Sequence, residues 1–218
     1  MNEARTIAMD QWPRRDYFEH YRNRVACTYS ITVDLDVTEL AAALSRTARK
    51  SYIAHIWALA AIANRHDEFR MTIDKNGVPA VWEVVHPAFT VFNPDRESFA
   101  SVWSPFHTDF ATFHEEAADL LSRYRSATSL FPQSDAPPNT FDISSLPWTS
   151  FTGFTLQLRD AWDHLLPIFT LGRYRESNGR TVMPLALQIH HAAADGFHTA
   201  RFIREVEQLV ASPTWLTA

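Results

Sequence analysis

Apolar positions along this chain switch repeatedly between a period of two and a period near three and a half, and the switches mark its elements. Cys27-Thr28-Tyr29-Ser30-Ile31-Thr32-Val33-Asp34-Leu35 alternates and predicts a strand, after a short helix over Arg14 to Arg24 with Pro13 in its first turn. Leu40 to Arg65 has helical spacing, interrupted near Lys50-Ser51-Tyr52. Asn76-Gly77 predicts a hairpin between Arg70–Ile73 and Ala80–Val84, and strands are expected at Phe89–Phe92 and Phe99–Trp103. Asp109 to Tyr124 predicts a helix, and Phe131 to Pro147 reads as irregular because Pro132, Pro137, Pro138 and Pro147 punctuate it. Alternation returns at Phe154–Leu158, which would put Phe154, Leu156 and Leu158 on one strand face. Asn178-Gly179 predicts a second hairpin, feeding a strand at Val182–Ile189. Phe202, Ile203, Val206, Leu209 and Val210 then form the apolar stripe of a C-terminal helix. The sum is one domain over residues 1–218: an α/β two-layer sandwich with a mixed sheet flanked by helices.

Composition narrows the function classes. At 218 residues, with 46% hydrophobic residues, 15 Phe and 7 Trp, the chain can bury a large core and line an aromatic pocket. A net charge of −5 argues against a broad nucleic-acid footprint while leaving room for a local cationic spot for a phosphorylated cofactor. Five glycines include no GxGxxG or GxxxxGK[ST] pattern, which argues against the nucleotide folds that need them. The single cysteine, Cys27, can form no intrachain disulfide and suits a reducing compartment. Met1 to Asp10 lacks the apolar segment of a signal peptide, and no run is long enough to span a bilayer. A soluble, cytoplasmic protein is expected.

The chemistry concentrates in Gln188-Ile189-His190-His191-Ala192-Ala193-Ala194-Asp195-Gly196-Phe197-His198, at a predicted strand-to-helix junction. Imidazole, with an unperturbed pKa of about 6.5, is suited to general-base work there. Adjacent histidines on a strand face opposite ways, so one can be catalytic while the other packs. Metal binding is disfavoured: Asp195-Gly196 suggests a turn, and no third ligand stands at a recognisable spacing.

The His-His-x-x-x-Asp-Gly order, with Gln188 before it and Phe197-His198 after it, resembles the chloramphenicol acetyltransferases, CoA-dependent acyltransferases of trimeric form. The likeness covers nearly the whole chain. Its further blocks are Trp12–Arg22, Asp67–Met71, Phe89–Phe92, Leu130–Gln133 and Ile143–Trp148. The resemblance implies acetyl transfer from acetyl-CoA to the primary hydroxyl of chloramphenicol, directly and with no acyl-enzyme. His191 would be the base, its other ring nitrogen fixed by its own backbone carbonyl. Ser144 would donate to the tetrahedral oxyanion, and Thr170 would hold a water nearby. Asp195 and Arg14 would form a buried ion pair that shapes the site.

The implied antibiotic pocket comprises Tyr21, Val25, Cys27, Tyr29, Phe131, Phe154, Leu156 and Ile168. Lys50, Trp148, Arg173 and Tyr174 would lie along the coenzyme path. Each site would fall between subunits of a homotrimer, with no metal or prosthetic group. Three departures stand out: Ala193-Ala194 where the family has Val-Cys, His20 in place of an aromatic residue, and Asp142 in place of Asn. Two rival readings are an acyltransferase for another small alcohol or thiol, such as a dihydrolipoyl-type core or a condensation-domain relative, and a non-catalytic drug-binding protein. The chain is short for a condensation domain and lacks a lipoyl domain or its Pro/Ala-rich linker.

Overall fold

The computed structural model describes residues 3–157 and 164–217. The strands are β1 (Ala4–Thr6), β2 (Thr28–Asp36), β3 (Met71–Ile73), β4 (Pro79–Trp82), β5 (His86–Asn93), β6 (Ser98–Trp103), β7 (Thr140–Leu146), β8 (Ile168–Gly172), β9 (Arg175–Ser177) and β10 (Arg180–His190). The helices are α1 (Arg15–Glu19), continued by a π turn at His20–Arg24, then α2 (Thr38–Leu44), α3 (Ser51–Ala63), α4 (Phe110–Arg123) and α5 (Gly196–Ala211). The main sheet runs β2-β10-β8-β7-β5-β6, with β9 also paired to β10. Strands β5, β7 and β8 are mutually parallel and the other pairings antiparallel, so the sheet is mixed as expected. A small sheet β1-β4-β3 carries the Asn76-Gly77 hairpin.

The two faces of the main sheet differ in chemistry. Paired positions share a face and neighbours alternate. One face therefore carries Ile31, Val33 and Leu35 of β2, Leu185, Leu187 and Ile189 of β10, Phe169 and Leu171 of β8, Phe141 and Ile143 of β7, and Phe89 and Val91 of β5. Apart from the half-buried Ile31, these residues and the buried sides of α2, α3, α4 and α5 form the core. Phe169 stacks on Phe202 of α5 at 5.2 Å, and Phe202 meets Phe69 at 4.6 Å; such ring pairs add about 1 kcal/mol each beyond their burial. The opposite face carries Ser30 and Thr32, Gln188 and His190, Ile168 and Thr170, and Asp142 and Ser144. It is the polar face, and every implied transfer residue on the sheet lies there.

Two sequence expectations need correction. The stretch Phe131 to Pro147 is not irregular throughout, because Thr140–Leu146 is the central strand β7. Its prolines stop short of the strand or follow it, and the run between them alternates, with Phe141 and Ile143 buried. Conversely, Phe154 to Gln157 belongs to no strand, and Leu158 lies outside the described residues. The backbone N–H groups of Phe154 and Leu156 donate to side chains of the polar face, Thr32 Oγ1 and Gln188 Oε1. The period of two thus predicted a strand where the segment instead lies over a sheet face and joins no ladder. Nearby, β8 pairing with β10 ends at Leu171↔Leu185, just before Pro184, which has no N–H to offer. A Cβ at Gly172 would lie 3.0 Å from both Phe151 Cε1 and the Pro184 ring, so glycine is what lets this segment close over the sheet.

The second hairpin turns as predicted. Asn178 (φ 50°) and Gly179 (φ 74°) are both left-handed, as a two-residue type I′ turn requires.

Candidate active site

His191 stands one residue past the end of β10, where its N–H still donates to the Cys27 carbonyl at 2.9 Å. Its ring stacks on Tyr21 of the π turn (3.7 Å between centroids, 11° between planes) and tilts against Tyr29 at 5.1 Å. Nδ1 is buried and has no hydrogen-bond partner among the described residues. His190 is the packed member of the pair. It is 1% exposed, and its Nδ1 accepts from the Ala192 N–H at 3.1 Å, fixing the turn. Ala192, Ala193 and Ala194 are fully buried, so the small side chains at 193 and 194 are enclosed in the core.

Asp195 does not sit in a free turn. It is the N-cap of α5, accepting from the Phe197 N–H at 3.0 Å. Arg14, just before α1, donates Nη1 to Asp195 Oδ2 at 2.6 Å, and His198 Nδ1 lies 2.8 Å from Oδ1. His198 also reaches Glu68 at 3.2 Å, and Glu68 pairs with Arg201 at 2.9 Å. Burial pushes the Asp195 carboxyl up, but the Arg14 hydrogen bond and the nearby His198 and Arg14 charges hold it below the usual range. The pair expected to be buried is partly so, at 16% and 32% side-chain exposure.

Ser144 and Thr170 are register partners on β7 and β8, side by side on the polar face. They lie far from His191 within one chain. Thr170 pairs with Ala186, five residues before His191 on β10, which is about 17 Å at strand rise, and Ser144 lies another strand spacing away. The Cα separation is roughly 20 Å, beyond the reach of any two side chains.

Ser144 instead borders a fork in the sheet. Pairing of β5 with β7 stops at Phe89↔Ile143, whereas β5 stays with β6 to Asn93 and β7 stays with β8 to Leu146. A cavity of about 440 Å³ fills the fork, between Thr90, Val91 and Phe92 on one side and Ser145, Pro147 and Trp148 on the other. Phe92 and Trp148 meet edge-on at 4.7 Å. Lys50 and Arg125 supply cations. A second cavity of about 250 Å³ shares Tyr52, Ser145 and Pro147 with the first and adds His55, Arg173 and Tyr174. The four expected coenzyme residues therefore line two adjacent cavities with common walls, Lys50 and Trp148 in the first and Arg173 and Tyr174 in the second, at the carboxyl ends of the parallel strands, where open α/β sheets place ligands. Arg125, Tyr52 and His55 are lining residues that the sequence reading missed. Only His55 carried a signal, as the one strongly polar side chain within the buried run Ile53–Ala63.

A family model described as chloramphenicol acetyltransferase matches residues 1–207. The chain belongs to the chloramphenicol acetyltransferase family. A curated chloramphenicol acetyltransferase of Streptomyces acrimycini is 63% identical over 210 residues, 96% of each protein. A solved structure titled chloramphenicol acetyltransferase superposes with a TM-score of 0.84 at 23% identity, covering 95% of this chain and 100% of that one. The fold extends to the Azotobacter vinelandii dihydrolipoamide acetyltransferase, with a TM-score of 0.68 at 21% identity over 91% and 86% of the two chains.

Seen against that family, the residues of the implied antibiotic pocket fall into three places in one chain. Tyr21 and Tyr29 pack on the His191 ring and the Cys27 carbonyl accepts its N–H at the β2 edge, while Val25, between them in the chain, is exposed. Burial pushes the Cys27 thiol up, away from the thiolate a nucleophile would need. Phe154 and Leu156 cross the polar face, where Ile168 pairs with Gln188. Phe131 is separate. The Leu130 carbonyl accepts from Ser101 of β6, which puts Phe131 at the opposite edge of the sheet, roughly 25 Å across the strands from Tyr29. Asp142, two residues before Ser144 on the same face, has its carboxyl pushed up by burial, with His164 opposing that shift. Among the described residues no cluster of His, Cys, Asp or Glu could hold a metal ion, and no helix is long and apolar enough to cross a membrane.

Proposed function

We propose that this protein transfers an acetyl group from acetyl-CoA to the primary hydroxyl of chloramphenicol, in sites shared between neighbouring subunits of a cytoplasmic homotrimer built from single-domain chains. The observation that carries the reading is the separation of His191 from Ser144. A base at one corner of the sheet and an oxyanion donor at its fork serve one reaction only if they come from different copies. The distribution of exposed apolar side chains supports this. Tyr17, Val25 and Phe197 project at the His191 corner, and Phe99, Leu130 and Phe131 project at the far edge. Two different patches on opposite sides of one chain make a head-to-tail contact, which closes into a ring.

In the assembled site His191 Nε2 takes the proton of the attacking hydroxyl, and the alkoxide adds to the thioester carbonyl. Ser144 donates to the resulting oxyanion with Thr170 beside it. Collapse expels the coenzyme thiolate, which regains the proton from His191. The coenzyme lies along the fork, its phosphates met by Lys50, Arg125 and Arg173 and its path walled by Trp148 and Tyr174. Arg14 and Asp195 brace the corner.

Mass spectrometry of chloramphenicol after incubation with acetyl-CoA tests the activity: one added acetyl group is expected with the wild type and none above background with His191→Ala. A dihydrolipoamide substrate serves as the control for the rival thiol reading. Light scattering tests the assembly, and a fully active monomer would overturn it.

A further inference from the structure

His55 is a polar residue in an otherwise apolar part of α3, between Ala54 and Ile56, and is only 4% exposed. Its Nε2 lies 2.5 Å from the Tyr174 hydroxyl, and the two rings meet edge-on at 5.7 Å and 82°. That hydroxyl has no other hydrogen-bond partner among the described residues. Burial lowers the imidazole to about 4 and raises the phenol to about 12. At neutral pH the histidine is therefore uncharged and the tyrosine protonated, so the bond joins two neutral groups and the tautomer of His55 decides which of them donates. Tyr174 belongs to the short link between β8 and β9, and both residues line the 250 Å³ cavity with Arg173.

We infer that His55 is a positioning residue for coenzyme binding, holding the Tyr174 ring against the cavity wall by a hydrogen bond to its hydroxyl. The inference rests on reading this hollow as the coenzyme path. A phenol tethered at both its backbone and its hydroxyl presents one fixed face, so less side-chain freedom is lost when a ligand packs on it. The arrangement makes His55 a determinant of coenzyme affinity, not of the transfer step.

The test compares His55→Phe, His55→Gln, Tyr174→Phe and the double variant His55→Phe/Tyr174→Phe as intact assemblies. The readouts are calorimetric CoA binding and separate KM values for acetyl-CoA and chloramphenicol. Loss of one hydrogen bond predicts that His55→Phe weakens CoA binding about five-fold. The KM for acetyl-CoA should rise in step, by more than either kcat or the KM for chloramphenicol changes. Gln, whose amide offers both a donor and an acceptor, should recover most of the affinity, and His55→Phe should add nothing in the Tyr174→Phe background. Unchanged CoA binding in a folded His55→Phe variant would overturn the inference, as would an equal loss with and without the Tyr174 hydroxyl. Failure of the coenzyme-path reading has a separate signature: Lys50→Ala and Arg173→Ala would also leave CoA binding unaltered.

Discussion

The corner that holds His191 and the fork that borders Ser144 solve opposite problems. At the corner everything is tied down. The imidazole lies between two tyrosine rings, its N–H extends the β2–β10 ladder, and Asp195 is anchored by Arg14, His198 and a helix N-terminus. At the fork the chain gives up a ladder, and β5 and β7 part to leave room for a ligand. The rigid end suits a base whose ring must keep one orientation, and the open end suits a long, phosphorylated substrate that threads past the sheet. Under the roles proposed above neither end is a complete site, and the roughly 20 Å between them is why the comparison points to assembly.

Removing each end's key side chain tests that division. His191→Ala should lower kcat most, by about 10⁴-fold, the upper end for a lost general base. Ser144→Ala should lower it by about 10²–10³-fold with little change in either KM, since its hydrogen bond matters in the transition state. Mixing then becomes decisive. Co-refolding the two inactive variants in equal amounts regenerates interfaces in which one copy supplies His191 and its neighbour supplies Ser144. With random assortment around a ring, about a quarter of wild-type activity should return. No recovery would mean that each chain carries its own site, and the shared-site reading would fail.

The corner was legible in the sequence because its signals are local. An apolar strand, two histidines, an Asp-Gly turn and an amphipathic stripe lie in one continuous segment, and the Arg14–Asp195 pair followed from the family resemblance, although the Asp is a helix N-cap and not a free turn residue. The fork was not legible, because strand divergence is a property of pairings between distant segments. Nothing within Thr140–Leu146 says that its pairing with β5 ends at Ile143. Proline spacing even concealed the strand itself. Phe154–Gln157 failed in the other direction, since an alternating run whose N–H groups bond to side chains of a sheet face looks the same as one that joins an edge. Arg125 escaped notice because a cation just beyond a helix end is usually solvated, and only the cavity gives it a role.

The fork's buried histidine adds a pH dependence of its own. The folded-state value of about 4 for His55 lies below the roughly 6.5 of an unfolded chain. As pH falls, the unfolded chain takes up this proton first. The stability tied to the neutral ring is therefore complete above about pH 6.5 and is lost as pH falls toward 4, a loss on the order of 3 kcal/mol at most. Denaturant midpoints at pH 7 and pH 5 should separate more for the wild type than for His55→Gln. Equal separations would show that burial does not hold this histidine neutral.

The smallest expected effect is at the corner's ion pair. Replacing one partner of a fully buried pair costs about 3–5 kcal/mol. Arg14 and Asp195 are only partly buried, and Asp195 keeps its cap to Phe197 and its contact with His198 when Arg14 is lost. Arg14→Ala should therefore cost about 1–2 kcal/mol. Asp195→Asn should cost no more, because asparagine also caps helices. Thermal midpoints and kcat should fall together in both variants, since the same contacts hold α5 and brace the turn that carries His191. A lowered midpoint with unchanged kcat would mean that the pair supports the fold alone, and that the stack on Tyr21 suffices to keep the imidazole in place.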